Sequence, residues 1–215
     1  MSVTCLLCGH PQCSSYHQDR QRDYYQCNQC HLVFVPTSQH LSAQAEKAIY
    51  DLHENNLQDE GYRRFLRRCC DPLLARLPAH QQGLDFGCGP APMLIQICQE
   101  QGHQMQGYDH FYQPDPSVWD QTYHFITMTE VIEHLNHPLP ELTKLWQRLA
   151  SGGLLAIMTK RVLNVQAFAT WHYKNDQTHV AFYSEATFAW LANELQATLE
   201  IVDKDVVFLQ KKSQH

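Results

Sequence analysis

The sequence predicts a mixed α/β fold, in which a mostly parallel sheet with an antiparallel hairpin at one edge follows a small cysteine-rich unit. Short apolar runs alternate with helical patterns from about residue 82 onward, which is typical of a parallel sheet covered on both faces. Five of the nine cysteines lie within the first thirty residues, in a polar segment too small to build its own core. We therefore expect a metal-stabilised unit over residues 1–37, a helical linker over 38–80 and the α/β domain over 81–215.

Two pairs of cysteines define the chemistry of the first unit. Cys5 and Cys8 form one C-x2-C pair, and Cys27 and Cys30 form a second pair 18 residues later. Zinc prefers four thiolates in a tetrahedron, and a tight C-x2-C turn supplies two of them. The spacing predicts a hairpin that brings the pairs together as a zinc ribbon with a structural metal. The alternative ligands are His10 and Cys13, and the sequence leaves open whether the ribbon also binds nucleic acid or protein.

Helical spacing of apolar residues predicts two helices in the linker. One apolar stripe runs over residues 41–52 and a second over 62–77, with Gly61 between the helices and Pro78 ending the second. The arginine-rich group at positions 63, 64, 67 and 68 fits a solvated helix face or an RNA-binding strip. Tyr50, His53 and Asn55 lie either over a ligand or on an ordinary helix surface.

The α/β domain divides into short strands and helices. Strands are predicted at 83–86, 104–108, 124–129 and 154–159, and helices at 92–101 and 140–150. Residues 151–153 (Ser-Gly-Gly) are expected to stop the second of these helices. Ser184 is a candidate N-cap for a helix over 185–194, and strands at 198–202 and 206–210 form the closing hairpin.

A glycine-rich loop predicts a nucleoside site. Gly87 and Gly89 follow the first strand of the domain and precede a helix, so that the backbone around Cys88 can turn tightly and approach a ligand. Asp109 follows Gly87 by 22 positions, where a carboxylate can accept the hydroxyl groups of a ribose. Asp85 suits a ligand that carries an ammonium group.

This stretch resembles the first motif of class I S-adenosylmethionine-dependent methyltransferases, and with the ribbon the chain is similar to the zinc-ribbon members of that class. Ala91 replaces the third glycine of the motif, and Pro92 does not fit the pattern of dinucleotide-binding oxidoreductases. Segments 125–135 and 151–155 resemble the fourth strand of the family and its turn before the fifth. The resemblance implies a Rossmann-like sheet and S-adenosylmethionine bound by Asp85, Gly87, Cys88, Gly89, Asp109 and Glu130.

The chain departs from the family at one place. Tyr123 follows Asp109 by only 14 positions, so we expect the second helix and third strand of the usual sheet to be shortened or absent. The acidic residue that commonly holds the adenine has no clear match. Asp115, Trp119 and Asp120 are the candidates.

A second set of polar residues follows the predicted strand at 124–129. Glu130, Glu133 and His134, with His179 downstream, resemble the divalent-metal site of small-RNA 3′-terminal 2′-O-methyltransferases and of some quinol O-methyltransferases. The resemblance implies that these four residues bind a second metal, which lowers the pKa of the methylated oxygen. Two alternatives stay open: a metal-free acceptor pocket with His134 as a base, and a purely structural role. The aromatic segment 171–183 is expected either to cover a planar acceptor or to pack as a lid without touching it.

The sequence thus predicts methyl transfer from S-adenosylmethionine to an unidentified oxygen or nitrogen acceptor, with Glu133, His134 and His179 as catalytic residues. The acceptor is expected to be a small molecule, in preference to RNA or protein. The alternatives are a non-catalytic scaffold whose ribbon binds RNA or a protein, and a nicotinamide oxidoreductase.

The composition supports a globular protein without a membrane partner. Hydrophobic residues make up 44% of the 215 positions, and the net charge of −6 argues against broad, charge-driven DNA binding. No apolar run is long enough to span a membrane, and the first residues lack the pattern of a secretory signal. The odd number of cysteines indicates reduced thiols, so we expect a cytoplasmic location, with the oligomeric state left open.

Overall fold

The structure, a computed structural model, describes residues 3–52 and 57–213. Within them the strands are β1 (Cys13–Gln18), β2 (Asp23–Cys27), β3 (Val33–Phe34), β4 (Gln82–Phe86), β5 (Gln104–Tyr108), β6 (Tyr123–Thr129), β7 (Leu149–Met158), β8 (Ala181–Phe182), β9 (Ala197–Ile201) and β10 (Val206–Lys211). The helices are α1 (Ala43–Tyr50), α2 (Glu60–Leu74), α3 (Met93–Glu100), α4 (Pro138–Arg148), α5 (Val165–Ala169) and α6 (Glu185–Glu194).

The larger sheet has six strands in the order β5-β4-β6-β7-β10-β9. The first four are parallel, and β10 pairs antiparallel with both β7 and β9, so the predicted edge hairpin is confirmed. Between Asp109 and Tyr123 lie an isolated bridge and a 3-10 turn, Pro116–Asp120. No strand occupies the usual third position in this described stretch, as the short spacing predicted. The carboxyl ends of β4, β5 and β6 therefore meet at one open edge, where such sheets bind ligands.

The smaller sheet joins the cysteine-rich unit to the rest of the chain. Its order is β1-β2-β3-β8. Strand β8, which follows β7 in the chain, pairs antiparallel with β3 and adds a fourth strand to the three N-terminal ones. Cys27, Cys30 and Phe34 belong to the same buried cluster as Ile132 and Phe188 of the larger unit. The N-terminal unit is thus packed into the main core.

Several element boundaries differ from the prediction. Gly61 lies in the first turn of α2, because the Asp59 side chain caps the helix by accepting from the amides of Gly61 and Tyr62. Helix α4 ends at Arg148, because Leu149 adopts an extended conformation and starts β7, which then runs through the Ser-Gly-Gly segment. Helix α2 ends at Leu74, before Pro78.

The linker helices differ in how they pack. In α2 the predicted apolar face is buried through Leu66, Cys69 and Leu73, whereas no residue of α1 is buried and Leu52, just after it, is 77% exposed. The apolar stripe predicted for 41–52 therefore does not reach the core.

Three of the four α2 arginines form ion pairs with acidic side chains. Arg67 pairs with Asp71 at 3.2 Å, Arg68 with Asp203 at 2.9 Å and with Asp205, and Arg63 with Glu100. Paired guanidinium groups offer less charge to a nucleic acid, which favours the solvated-face interpretation. Among the described helices, none combines the length and the apolar character needed to cross a membrane.

Candidate active site

A cavity of about 660 Å³ lies at the carboxyl edge of the parallel strands. One wall is the glycine-rich loop after β4, with the segment that follows β5 beside it. The opposite wall is the turn after β6, and α1 and α2 cover one side. Predicted site residues that line it are Gly87, Cys88, Gly89, Asp109, Glu130, His134 and His179.

The two loop glycines have different neighbours. Gly87 and Gly89 adopt φ of +79° and +62°, which side chains rarely tolerate. A Cβ at Gly87 would lie 2.4 Å from Cγ2 of Val131, whereas a Cβ at Gly89 would meet nothing within 4 Å. Gly87 therefore lets the loop pack against the turn after β6, and Gly89 leaves the cavity side of the loop open.

Asp109 is fixed by the backbone around it. Its Oδ2 accepts from the amide of Gly89 at 3.0 Å, and its Oδ1 accepts from the amides of Phe111 at 2.8 Å and Tyr112 at 3.0 Å. A carboxylate offers about four acceptor positions, so roughly one stays available toward the cavity. This remaining position can accept a hydrogen bond from one ribose hydroxyl; a second hydroxyl would have to share an acceptor position with a backbone amide.

Asp85 is buried at the end of β4. Only 3% of it is exposed, and its Oδ1 accepts from the Thr127 hydroxyl at 2.7 Å. Burial raises the pKa of Asp85 to about 7, with a further contribution from the charge of Asp109. An ammonium group placed beside Asp85 would reverse that shift by favouring the ionised form.

Three of the four predicted acceptor-site residues come together. One ligand atom from each of Glu133, His134 and His179 lies within 4.8 Å of the others. Glu133 is fully buried, and its Oε2 has no hydrogen-bond partner. Burial also lowers the pKa of His179, which favours the neutral imidazole that metal binding or proton abstraction requires.

Backbone carbonyls orient both imidazoles. The Nδ1 of His134 lies 3.1 Å from the carbonyl of Thr178, and the Nδ1 of His179 lies 2.7 Å from the carbonyl of Tyr173. Because a carbonyl only accepts, each ring carries a proton on Nδ1, so Nε2 is the atom that can bind a metal or accept a proton when the ring is neutral. This is the outer arrangement that metal-binding histidines use.

Glu130 stands outside this cluster but is linked to it. The Tyr173 hydroxyl contacts Oε2 of Glu130 at 3.1 Å and also Oε1 of Glu133. Burial raises the pKa of Glu130 to about 7 and that of Glu133 to about 8. The Tyr173 hydroxyl can donate its one hydrogen to only one of the two carboxylates. A hydrogen bond to the other therefore requires that this carboxyl group is protonated, which agrees with the raised pKa of both Glu130 and Glu133. Sequence reasoning missed Tyr173 in this role, since no local motif marks it.

The remaining candidates lie elsewhere. Asp115, Trp119 and Asp120 do not line the cavity; Asp115 caps the following 3-10 turn and Trp119 packs against Tyr108. Tyr50 does line it, with its ring 5.4 Å from that of His134. His53 and Asn55 lie outside the described residues.

The aromatic segment packs mainly against the N-terminal unit. Phe182 belongs to a buried cluster with Tyr24 and Phe168, and the partly buried Trp171 packs against it; the rings meet at centroid distances of 5.0–6.1 Å. Of the predicted aromatic and histidine residues in this segment, His179 lines the cavity.

The two cysteine pairs converge as the spacing predicted. The Sγ atoms of Cys5 and Cys30 are 3.4 Å apart, as are those of Cys8 and Cys27, and all four lie within 4.8 Å of one another. A tetrahedron with Zn–S bonds of about 2.3 Å has S···S distances of roughly 3.8 Å, so the four sulfurs fit a zinc ion. Cys13 is outside the group, with its thiol directed to a backbone carbonyl at 3.6 Å.

Solved structures share this fold at low sequence identity. An O-methyltransferase family protein from Burkholderia thailandensis matches with a TM-score of 0.56 at 9% identity, over 81% of this chain and 61% of that one. The 1,6-didemethyltoxoflavin-N1-methyltransferase of the same organism, solved with S-adenosylhomocysteine, matches at 0.51 and 15% identity over 93% and 100%. DesVI of Streptomyces venezuelae matches at 0.53 and 10% identity over 81% and 100%. No curated protein matches the sequence.

The fold is therefore that of the methyltransferases. The family described as "Methyltransferase domain" matches residues 59–201, and the chain belongs to it. The protein is an S-adenosylmethionine-dependent methyltransferase with a four-cysteine cluster near its N-terminus.

Replacing Gly87 with Ala is expected to weaken S-adenosylmethionine binding by more than about tenfold, because the new methyl group overlaps Val131 and displaces the loop. Calorimetric titration measures the affinity. Gly152→Ala is the matched control, since Gly152 has φ of +77° but its nearest neighbour, a side chain away from the cavity, is at 3.5 Å. Equal affinities of Gly87→Ala and Gly152→Ala would contradict the role given to the Gly87 contact.

Proposed function

We propose that the protein transfers a methyl group from S-adenosylmethionine to an oxygen or nitrogen acceptor held at Glu133, His134 and His179. The observation that carries the proposal is the convergence of these three side chains, of which His134 and His179 line the same cavity as the glycine loop and Asp109. A cofactor on the loop and an acceptor at the cluster would share one enclosure, which is what in-line displacement requires.

The cluster has the composition of a divalent-metal site. Two imidazoles and one carboxylate form a set used by divalent transition metals with open coordination positions. The unpartnered Oε2 of buried Glu133 supports this assignment, because an orphaned buried carboxylate oxygen is costly without a cation. A metal held there would lower the pKa of an acceptor hydroxyl. Glu130 is retained as a cofactor contact, joined to the cluster through Tyr173.

The residues have distinct roles in the transfer. Asp85 faces the ammonium group of the cofactor, and Asp109 accepts a ribose hydroxyl. His134 and His179 orient the acceptor, and the Nε2 atom of a neutral imidazole among them removes its proton. The acceptor lone pair then attacks the sulfonium methyl carbon, the C–S bond breaks, and S-adenosylhomocysteine leaves with the electron pair.

We assign the four-cysteine cluster to one structural zinc ion, on the basis of its sulfur distances. Purified protein is expected to contain one zinc per chain by elemental mass spectrometry. Cys27→Ser should lose zinc and stability together, because Cys27 is also in the shared core. Cys13→Ser, the control, should keep the zinc; zinc loss from this control but not from Cys27→Ser would overturn the assignment.

Cofactor binding should release a proton from Asp85. The carboxyl group is protonated below its pKa of about 7 in the free protein, and the ammonium group of the cofactor favours its ionised form. At pH 6 we expect close to one proton released per S-adenosylmethionine, falling toward zero above pH 8, as measured by calorimetry in buffers of different ionisation enthalpy. Asp85→Asn should abolish the release and Glu130→Gln should retain it. Identical proton release by wild type and Asp85→Asn would refute the contact between Asp85 and the ammonium group of the cofactor.

The metal assignment is tested by Mn²⁺ titration followed by electron paramagnetic resonance. Wild-type protein should bind one Mn²⁺, and Glu133→Gln should bind it more than about 100-fold more weakly, since removing a ligand costs more than removing an outer partner. Glu141→Gln, in the same cavity but outside the cluster, should leave the affinity unchanged. Absence of Mn²⁺ binding by wild type would leave the histidines as metal-free bases. Absence of S-adenosylmethionine binding would instead point to the non-catalytic scaffold.

A further inference from the structure

The turn between β1 and β2 reaches across to the segment that carries His179. Arg22 lies in this turn and is only 6% exposed. Its Nη1 donates to the carbonyls of Gln177 at 3.2 Å and His179 at 2.9 Å, and its Nη2 donates to those of Asp176 at 3.0 Å and Lys174. One guanidinium group thus holds four carbonyls of a six-residue stretch.

The hydrogen-bonding capacity of Arg22 is fully used. Its Nε donates to the Tyr24 hydroxyl at 3.3 Å, so all five N–H groups have acceptors. A buried guanidinium group is tolerated only when its donors are satisfied, and here four of the five donors are satisfied by one segment. The arginine and the conformation of segment 174–179 therefore depend on each other. The Lys174 ammonium, 2.8 Å from Asp19 in the same turn, adds a second tie.

The held segment orients all three members of the acceptor cluster. It contains His179 itself, and its Thr178 carbonyl accepts from Nδ1 of His134. The next amide along the chain, that of Val180, donates to the Glu133 carbonyl at 2.9 Å. A shift of this segment would therefore move or rotate His179, His134 and Glu133 together.

We propose that Arg22 is a positioning residue for the acceptor site, so that the N-terminal ribbon supports this site without lining it. Arg22 does not touch the cavity; it acts through the backbone of segment 174–179. The expected effect of Arg22 on Mn²⁺ affinity rests on the proposed function, whereas its expected effect on amide hydrogen exchange in segment 174–180 does not.

The test compares Arg22→Lys with wild type in the full, zinc-loaded chain. Lysine keeps the charge but has three donors and lacks the planar fork, so it cannot serve all four carbonyls. We expect Mn²⁺ affinity to fall about 10–100-fold, as for other outer partners of metal ligands. Amide hydrogen exchange should accelerate in segment 174–180 and stay unchanged in the glycine loop, and S-adenosylmethionine affinity should stay within about twofold.

Two further variants make the result specific. Arg76→Lys is the matched control, because Arg76 pairs with Glu200 and a carbonyl away from the cavity, and it should change none of the three readouts. Tyr24→Phe keeps the ring and removes the hydroxyl group, which accepts from the Arg22 Nε–H and donates to Asp19, the ion-pair partner of Lys174. Because the four carbonyl contacts of Arg22 remain, this variant should shift exchange and Mn²⁺ affinity in the same direction by less, and it tests the inference even if Arg22→Lys fails to fold.

The outcomes are distinguishable from failure of the proposed function. Absence of Mn²⁺ binding by wild type would refute the metal assignment. The comparison of amide hydrogen exchange would still test the positioning role of Arg22. Wild-type exchange in segment 174–180 of a folded Arg22→Lys or Tyr24→Phe variant would overturn the inference. Parallel loss of S-adenosylmethionine affinity would also overturn it, because the effect would then be general rather than confined to the acceptor site.

Discussion

The close approach of Gly87 to Val131 is the constraint on which the site depends. Strands β4 and β6 pair in parallel, with Asp85 opposite Thr127, so their carboxyl ends emerge side by side. The loop after β4 then lies directly against the turn after β6, so close that only glycine fits at position 87. The glycine-rich loop and the turn after β6 are thus two walls of one cavity, which suits the proposed transfer, because a methyl donor and its acceptor must lie side by side.

The N-terminal ribbon is linked to one wall of this cavity through backbone hydrogen bonds. A continuous set of backbone hydrogen bonds runs from the Val35 amide to the Val180 carbonyl and from the Val180 amide to the Glu133 carbonyl. The pairing of β3 with β8 places the ribbon and the segment before β8 in one sheet. Folding of a distant N-terminal hairpin and the geometry of the acceptor cluster are therefore linked through the same contacts.

Local patterns predicted much of the fold and pointed to the glycine-rich loop and Asp109, which line the cavity. The six strands of the larger sheet followed from apolar runs, and Ser184 was identified correctly because capping is a property of adjacent residues. The cysteine pairs and the glycine loop were found for the same reason. The apolar stripe predicted near α1 was not buried, since periodicity indicates a face but not whether another element covers it.

Long-range contacts were beyond sequence reasoning. Strand β8 has two residues, too few to show a pattern, and Arg22 meets its partners more than 150 positions away. The link from Glu130 to Glu133 through Tyr173 likewise depends on a loop whose path no local pattern specifies. Such contacts are set by packing, so the polar side chains that orient the acceptor site emerge only from the structure.

A crystal structure of the zinc-loaded protein with S-adenosylhomocysteine and Mn²⁺ tests the central claim most directly. We expect the ribose to lie against Asp109, the amino group near Asp85, and the sulfur to face a manganese ion held by Glu133, His134 and His179. A cofactor seated with its sulfur directed away from this cluster, or a cluster separated from the bound cofactor by intact protein, would contradict it.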